Sequence, residues 1–573
     1  MNEKTLKAAI CVLNSQYIHS SLAPWCLLAG VEAYCDSGIT AEVIEGTINE
    51  KMEDAAQRII AWNPDVISFS CYIWNISETK QLIKLIKSRL PDAIILLGGP
   101  EVSYNAQAVL REEPLVDYVI SGEGETPYAL LLNAILHGKE VRKIPGVCYR
   151  KEGKIIVVPP NTPAEEPPSP YTQSYFDSLK GRIAYLETSR GCPYSCAFCL
   201  SGRCGSVRYF DLNRAKREIL QLAKSGTQTV KLVDRTFNAN RKRADELFRF
   251  IIQNYGTEIP EGVCFHFEIA GDILEEETIR LLSGAPVGAM QMEIGLQSFN
   301  ARTLEAIHRK TDVERLKRNI QSLVSNANMH IHIDLIAGLP FEGWDSFAES
   351  FNTAYALRPN MLQLGFLKLL YGAPMRENPQ EFPCHFSQEP PYEVEETPWL
   401  TAQELAGLRH TADAVERLYN SGRFRRTLAY VLEKSGLSPF GLFSQFGAFS
   451  AEKGTEKIPL DDYTGLVFDY FSSQPGVDRT VLRDTMACDR ISTNASGRLP
   501  AVLRVKDDAL KKAIIALESR EGKPQKGIKR GYALLYSRPG LIYADYQNKN
   551  PITGEYPLHE AAVGQPPGNA EMQ

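Results

Sequence analysis

The sequence predicts an α/β protein built in three parts, and three observations predict it. Short β-rich runs alternate with amphipathic stretches in two separate series, the pattern of parallel sheets carrying helices on both faces. A proline-dense segment stands between the two series, and after about residue 385 the alternation gives way to helical periodicity. The expected boundaries are a Rossmann-like or flavodoxin-like domain over 1–140, a hairpin and Pro-rich linker over 141–180, a second strand–helix domain over 181–385, and a mainly helical extension over 386–573.

Composition supports several ordinary domains. A chain of 573 residues is too long for one core, and about 150 residues per domain gives three or four. Hydrophobic residues at 44% and charged residues at 23% are usual for a globular protein. The net charge of -6 recommends no nucleic-acid partner. There is no apolar run of the roughly 18 residues that a membrane span requires, and the first residues, Met1 to Lys4, form no hydrophobic signal region, so a cytoplasmic protein off the membrane is expected. Of 12 cysteines, all but three are scattered singly and read as small buried residues of a reducing compartment.

The first series places strands at 6–13, 41–45, 65–71, 93–97 and 118–120. Five such units bind a ligand beyond the carboxyl ends of the strands. Two turns there are small and polar, Gly98 to Glu101 and Ser121 to Glu125. Glycine at Gly98, Gly99, Gly122 and Gly124 lets a flat or bulky ligand approach the backbone. Neither turn is G-x-G-x-x-G, and Glu101 and Glu123 stand where a pyrophosphate needs neutral amides, which disfavours a dinucleotide. A hairpin-like stretch at 147–158 follows, and then 159–170, whose six prolines exclude helix and central strand.

The second series places strands at 183–186, 229–233, 263–269, 288–294, 330–336 and 361–367. Just after the first comes Cys192, Cys196 and Cys199, a C-x3-C-x2-C spacing. Three thiolates on one tight loop can hold three irons of a cubane cluster and leave the fourth iron open to a substrate or cofactor. The rival is a zinc knuckle, but zinc prefers four ligands and no second C-x2-C pair follows. Cys204 is an alternative fourth ligand; the reading favours an ordinary cysteine in the next loop. Polar residues gather at the carboxyl ends of the strands, where barrels keep their reactive groups: Asp234, Arg235 and Asn238, then Glu268, then Glu293, Gln297 and Ser298, then Asp334. His330 and His332 share a strand face, but two ligands are too few for a closed metal site, so they read as polar lining or a bonded pair.

The cysteine loop resembles the cluster loop of the radical S-adenosylmethionine (SAM) enzymes, residue by residue at Cys192, Cys196 and Cys199. The resemblance implies a [4Fe-4S] cluster whose free iron is chelated by SAM, reductive cleavage of SAM to a 5'-deoxyadenosyl radical, and Phe198 packing near the adenine. It implies a partial (β/α)6 barrel for the second series. The segment 232–238, with Asp234, looks like the second-strand motif of the cobalamin-dependent group. His266 to Glu268 resembles the third-strand motif, whose Glu contacts SAM; Gln297 and Ser298 resemble a later loop, as does 336–340; and Arg309 occupies a position used for the SAM carboxylate. A sulfonium and a zwitterionic tail require carboxylates and a cation converging in one pocket. The turns at Gly98, Gly99, Gly122, Glu123 and Gly124 look like those of cobalamin-binding domains, and such a domain ahead of a radical SAM core is the architecture of the cobalamin-dependent radical SAM family. The base-off motif D-x-H-x-x-G is absent: His19 lies where a ligating histidine would, but Tyr17 and Leu22 replace the Asp and the Gly, and no carboxylate fixes the imidazole tautomer. The reading of His19 favours a histidine packing near the corrin or substrate, with axial ligation the alternative.

The resemblance further implies an enzyme acting on a small molecule, with reduced flavodoxin or ferredoxin as electron donor. Methyl transfer to an unactivated carbon comes first by family frequency, and oxidative cyclisation or rearrangement second. A methylthiotransferase needs a second cluster on three N-terminal cysteines, whereas Cys11, Cys26, Cys35 and Cys71 fall on separate predicted elements. A non-catalytic cobalamin and cluster sensor is the remaining class. In the extension, Leu405, Leu408, Ala412, Val415 and Tyr419 repeat at helical spacing, and 531–536 with 541–546 read as a closing hairpin. The polar tail from 548 is expected to be loose, and Arg423, Arg425 and Arg426 to form a solvated helix face rather than an acid-binding site. This part resembles the extension of an uncharacterised branch of the same family and names no chemistry.

Overall fold

A computed structural model describes residues 4–455, 457–505, 508–522 and 524–562, without the side chain of Cys204. The chain divides into two compact units. The first holds 1–270 with 307–309 and 367–395; the second holds 271–306, 310–366 and 396–573.

In the first unit β1 (Leu6–Asn14), β2 (Ile39–Thr47), β3 (Val66–Ser70), β4 (Ile94–Gly98) and β5 (Tyr118–Ile120) are parallel and lie in the order β2-β1-β3-β4-β5. That order is flavodoxin-like, with its switch point between β1 and β3. Strand alternation sorts the side chains to two faces. Ala9, Cys11 and Leu13 pack with Ile59, Ile83 and Ile86 of helices Met52–Trp62 and Ile76–Lys87. Ala8 and Ile10 pack with Val31 and Leu132 of helices Ala23–Tyr34 and Glu125–His137. Each fully buried Leu or Ile contributes about 1.5–3 kcal/mol relative to exposure. The hairpin β6 (Val147–Lys151) and β7 (Lys154–Val157) pairs antiparallel onto β5 and extends this sheet to seven strands, whereas the sequence reading had set it with the linker.

The strands of the second series follow. In the first unit come β8 (Ala184–Leu186), the short pair β9 (Ser189–Arg190) and β10 (Arg208–Tyr209), then β11 (Thr229–Leu232) and β12 (Cys264–Ile269), with β8, β11 and β12 parallel. In the second unit β13 (Met290–Gln297), β14 (His330–Ala337) and β15 (Met361–Phe366) are parallel in that order. The six expected strands are all present, and β13 runs three residues past its predicted end.

The extension is helical from Ala402–Ala414 to Ala509–Glu521 and closes with the antiparallel hairpin Arg530–Leu535 and Gly540–Asp545. His559–Ala561 adds a third strand to that hairpin, so the tail is ordered to there, contrary to the loose tail expected; 563–573 lie outside the described residues. Arg426, expected on a solvated face, is only partly exposed: its Nη1 donates to Asp489 Oδ1 at 3.2 Å and to Glu555 Oε1 at 2.6 Å, joining distant segments of the second unit.

Candidate functional site

The cysteine loop leaves the sheet through a built base. The β9 and β10 ladder pairs Ser189 with Tyr209 and Arg190 with Arg208 across it, and Gly191 turns the chain out with φ +97. Asp234, just past β11, is buried and reaches the end of the neighbouring β8. Its Oδ2 accepts from Thr188 N at 2.9 Å, and its Oδ1 from Thr188 Oγ1 at 2.7 Å and Ser189 Oγ at 2.5 Å. Burial pushes this carboxyl up, and those three donors oppose the shift. Within the loop, Ala197 N–H donates to Ile307 O and Met375 N–H to Ala197 O, each at 3.0 Å. A Cβ on Gly202 would sit 2.3 Å from Tyr194 O, so the return of the loop needs glycine.

A polar hydrogen-bonding group faces each of the three sulfurs. Thr236 Oγ1 lies 3.4 Å from Cys192 Sγ, Arg309 Nη1 lies 3.9 Å from Cys196 Sγ, and Ser201 N–H lies 3.4 Å from Cys199 Sγ. Burial pushes the Cys196 thiol up, while the Arg309 guanidinium pulls it down. Phe198 is half-buried between Cys196 and Cys199. Glu268, on β12, lies 3.8 Å from Lys231 Nζ.

A cavity of about 570 Å³ opens at the carboxyl ends of β1, β3, β4 and β5, the flavodoxin-like switch point. Ser15, Ser70, Gly98, Gly99, Gly122 and Gly124 line it with small groups, and Trp74, stacked on Tyr72 at 4.3 Å between ring centroids, adds a flat apolar wall. His19 also lines it. Its Nδ1 lies 2.9 Å from Tyr185 Oη, a partner not legible in the sequence, and burial with the charges of Lys231 and Arg182 lowers its pKa, keeping the ring neutral.

The glycines answer to the protein itself as much as to a ligand. Gly99 has φ +99, and its Cβ would meet Cys71 O at 2.5 Å; a Cβ on Gly124 would meet Leu27 Cδ2 at 2.8 Å. Glu101 turns inward to the Tyr392 hydroxyl. Glu123 belongs to an ion-pair network centred on Arg190. Arg190 Nη1 donates to Glu123 at 2.5 Å, and Nη2 to Glu125 at 2.6 Å and Glu187 at 2.9 Å. Arg208 holds Glu123 as well, at 2.6 Å. Burial pushes Glu187 up; at Glu125 burial is again the largest single influence, but the Arg190 charge and hydrogen bond, a backbone hydrogen bond and the Arg208 charge together overcome it and hold the carboxyl below its ordinary range. Sequence reasoning missed this network, because only the topology brings Glu123, Glu125 and Glu187 to the Arg190 guanidinium and Arg208 to Glu123.

In the second unit Gln297 ends β13 after an irregularity of register, with φ +70, and no described residue bonds its buried Oε1. Ser298 turns inward, its Oγ donating to Glu342 Oε1 at 2.6 Å. Glu342, which sequence reasoning also missed, is fully buried and accepts from Ser350 Oγ at 2.9 Å; burial pushes its pKa to about 7. His332 Nε2 lies 2.9 Å from Asp334 Oδ1. Cys11, Cys26 and Cys71 lie in the core of the first sheet and its helices, where burial pushes all three thiols up.

The residues present fit the groups that such a site implies. Three sulfurs on one loop, each with a hydrogen-bonding partner, suit an iron–sulfur cluster, whose potential is set by hydrogen bonds to its sulfurs. The cavity of small side chains at the switch point suits a large flat cofactor.

Known proteins agree with this layout. The chain matches the B12 binding domain family over residues 10–132, the radical SAM superfamily over 186–354, and a family described as protein of unknown function (DUF4080) over 380–535. It is similar to 2-(S-pantetheinyl)-carbapenam-3-carboxylate methyltransferase of Streptantibioticus cattleyicolor, 29% identical over 50% of this chain and 44% of the relative. It is also similar to anaerobic magnesium-protoporphyrin IX monomethyl ester cyclase of Rubrivivax gelatinosus, 24% identical over 58% of this chain and 62% of the relative. The chain thus spans less than two thirds of the length of these curated relatives. Among solved structures, the cobalamin-dependent S-adenosylmethionine radical enzyme OxsB with aqua-cobalamin and S-adenosylmethionine bound shares the fold, with TM-score 0.58 and 14% identity over 85% of this chain and 79% of that one. No helix among the described residues is long and apolar enough to cross a membrane. With a B12 binding domain, a radical SAM domain and a DUF4080 region in series, the chain belongs to the cobalamin-binding radical SAM proteins.

Proposed function

We propose that this protein is a cobalamin-dependent radical SAM enzyme that transfers a methyl group to an unactivated carbon of a small molecule. The observation that carries the reading is the loop of Cys192, Cys196 and Cys199, with Thr236, Arg309 and Ser201 N–H each placed at one sulfur. When bound, a [4Fe-4S] cluster supplies the electron that cleaves SAM to a 5'-deoxyadenosyl radical, and cobalamin carries the methyl group. A reduced flavodoxin or ferredoxin is the proposed electron donor.

The residues of the chain have separate tasks in this reading. Cys192, Cys196 and Cys199 would hold the cluster through three of its irons, with the fourth available to SAM. Arg309 sets a positive charge beside Cys196, on the side where the resemblance places the SAM carboxylate; Phe198 and Glu268 are the other proposed SAM contacts of the first unit. Asp234 and Ser298 are positioning residues, since their polar atoms are taken up inside the protein. In the second unit Gln297 has a buried side-chain oxygen to offer a ligand. Gly98, Gly99, Gly122, Glu123 and Gly124 shape the walls proposed for cobalamin. His19 is proposed as a neutral lining residue held by Tyr185.

Similarity to the porphyrin cyclase, which extends over more of this chain than the similarity to the carbapenam methyltransferase, supports a second reading, oxidative ring closure. Products separate the two. Anaerobic protein carrying cluster and cobalamin, given SAM and dithionite, should release both 5'-deoxyadenosine and S-adenosylhomocysteine if it transfers methyl groups. Release of 5'-deoxyadenosine alone would favour cyclisation, and release of neither would overturn the radical SAM reading.

A further inference from the structure

The second unit contains a donor set outside the residues proposed above for the cofactors. On β13 the residues Met290, Met292, Ile294 and Leu296 are buried, as are Ile331, Ile333 and Leu335 on β14. These apolar positions form one face of the two strands, so the other carries Glu293, His332 and Asp334 by alternation. Parallel register sets Glu293 directly beside His332 and Gly295 beside Asp334. Gly295 itself adds no side chain beside Asp334. One ligand atom from each of Glu293, His332 and Asp334 lies within 4.8 Å of the other two, and His332 Nε2 is 2.9 Å from Asp334 Oδ1. His332 is buried and the two carboxylates are half-buried.

From this convergence we infer that Glu293, His332 and Asp334 form a site for a divalent first-row transition metal ion. One imidazole nitrogen and two carboxylate oxygens are the donors such ions take. Three protein ligands on two paired strands leave coordination positions open to water or to a substrate oxygen, the arrangement of catalytic rather than closed structural sites. A doubly charged ion sets its charge against both carboxylates and takes the imidazole neutral. The site stands on strand geometry alone and does not rest on the proposed reaction.

Manganese(II) is a suitable probe, because its hexaaqua form gives an electron paramagnetic resonance signal that is lost on binding. The titration uses protein already carrying its iron–sulfur cluster, so that the loop cysteines are occupied. One saturable Mn²⁺ per chain is expected, displaced by Zn²⁺. Asp334→Asn and His332→Gln should each weaken it at least about tenfold, with iron content and circular dichroism unchanged, in line with the cost of disturbing metal-site residues. Glu293→Gln, on the neighbouring strand β13, should weaken it in the same direction and serves if a β14 variant fails to fold. Absence of saturable binding of either metal, or binding that survives these substitutions, would overturn the site and leave an internal His332–Asp334 ion pair only.

Discussion

At Asp234 both carboxylate oxygens are committed to Thr188 and Ser189, the residues that lead into the cysteine loop. An amide at this position offers one acceptor and presents a donor where another donor already points. Asp234→Asn should therefore cost about 1–3 kcal/mol, the penalty of a buried group left unsatisfied, and should lower the iron bound on reconstitution. Unchanged iron content with impaired SAM cleavage would instead make Asp234 a direct SAM contact. Glu342 gives a pH signature. Its carboxyl stands at about 7 in the folded protein against an ordinary 4.5, so between those values the folded state keeps a proton that the unfolded state has released. Stability then falls as pH rises through that window and levels off above it. The shift corresponds to a loss on the order of 3 kcal/mol. Denaturant unfolding at a series of pH values should show this slope in the wild type and a flatter one in Glu342→Gln. At this scale the sequence revealed the cysteines through their spacing, but not which strand-end acids face solvent. Asp234 and Ser298, singled out for SAM by their motifs, also make internal hydrogen bonds that the sequence does not show.

Between elements, Arg190 does most to fasten the cysteine loop to the first sheet. It is on β9, two residues before Cys192, and it binds Glu187 after β8 and both Glu123 and Glu125 after β5. Removing the guanidinium leaves three carboxylates together, with the Glu125 side chain only 8% exposed. Breaking a buried pair from one side costs about 3–5 kcal/mol. Arg190→Met should accordingly lower stability by that order and reduce both retained iron and retained cobalamin, while Arg190→Lys, which keeps the charge without the fork, should fall between. Loss of one cofactor without the other would contradict this coupling. The strands themselves were legible, because hydrophobic runs and alternation are local signals. The attachment of the 147–158 hairpin to β5 was not, since the Pro-rich run after it suggested a linker and strand pairing depends on contacts distant in sequence.

For the whole chain, the order of parts was readable because each part has its own periodicity; the count of units left Rossmann-like and flavodoxin-like orders open, and strand pairing decides for the flavodoxin-like one. The extension yielded its helices and hairpin from pattern, but its function has no local signature. Of the arginines read as a solvated face, Arg423 is exposed, while Arg426 is partly buried and joined to Asp489 and Glu555 from far along the chain. The central claim is that three loop cysteines hold a four-iron cluster with one corner left for SAM. Its most direct test is iron and sulfide analysis of the anaerobically reconstituted protein, with 5'-deoxyadenosine measured after addition of SAM and dithionite, in the wild type and in alanine variants of Cys192, Cys196 and Cys199. The account predicts about four irons per chain and 5'-deoxyadenosine release in the wild type, and loss of release in every variant. Zinc in place of iron, or a variant that still cleaves SAM, would contradict it.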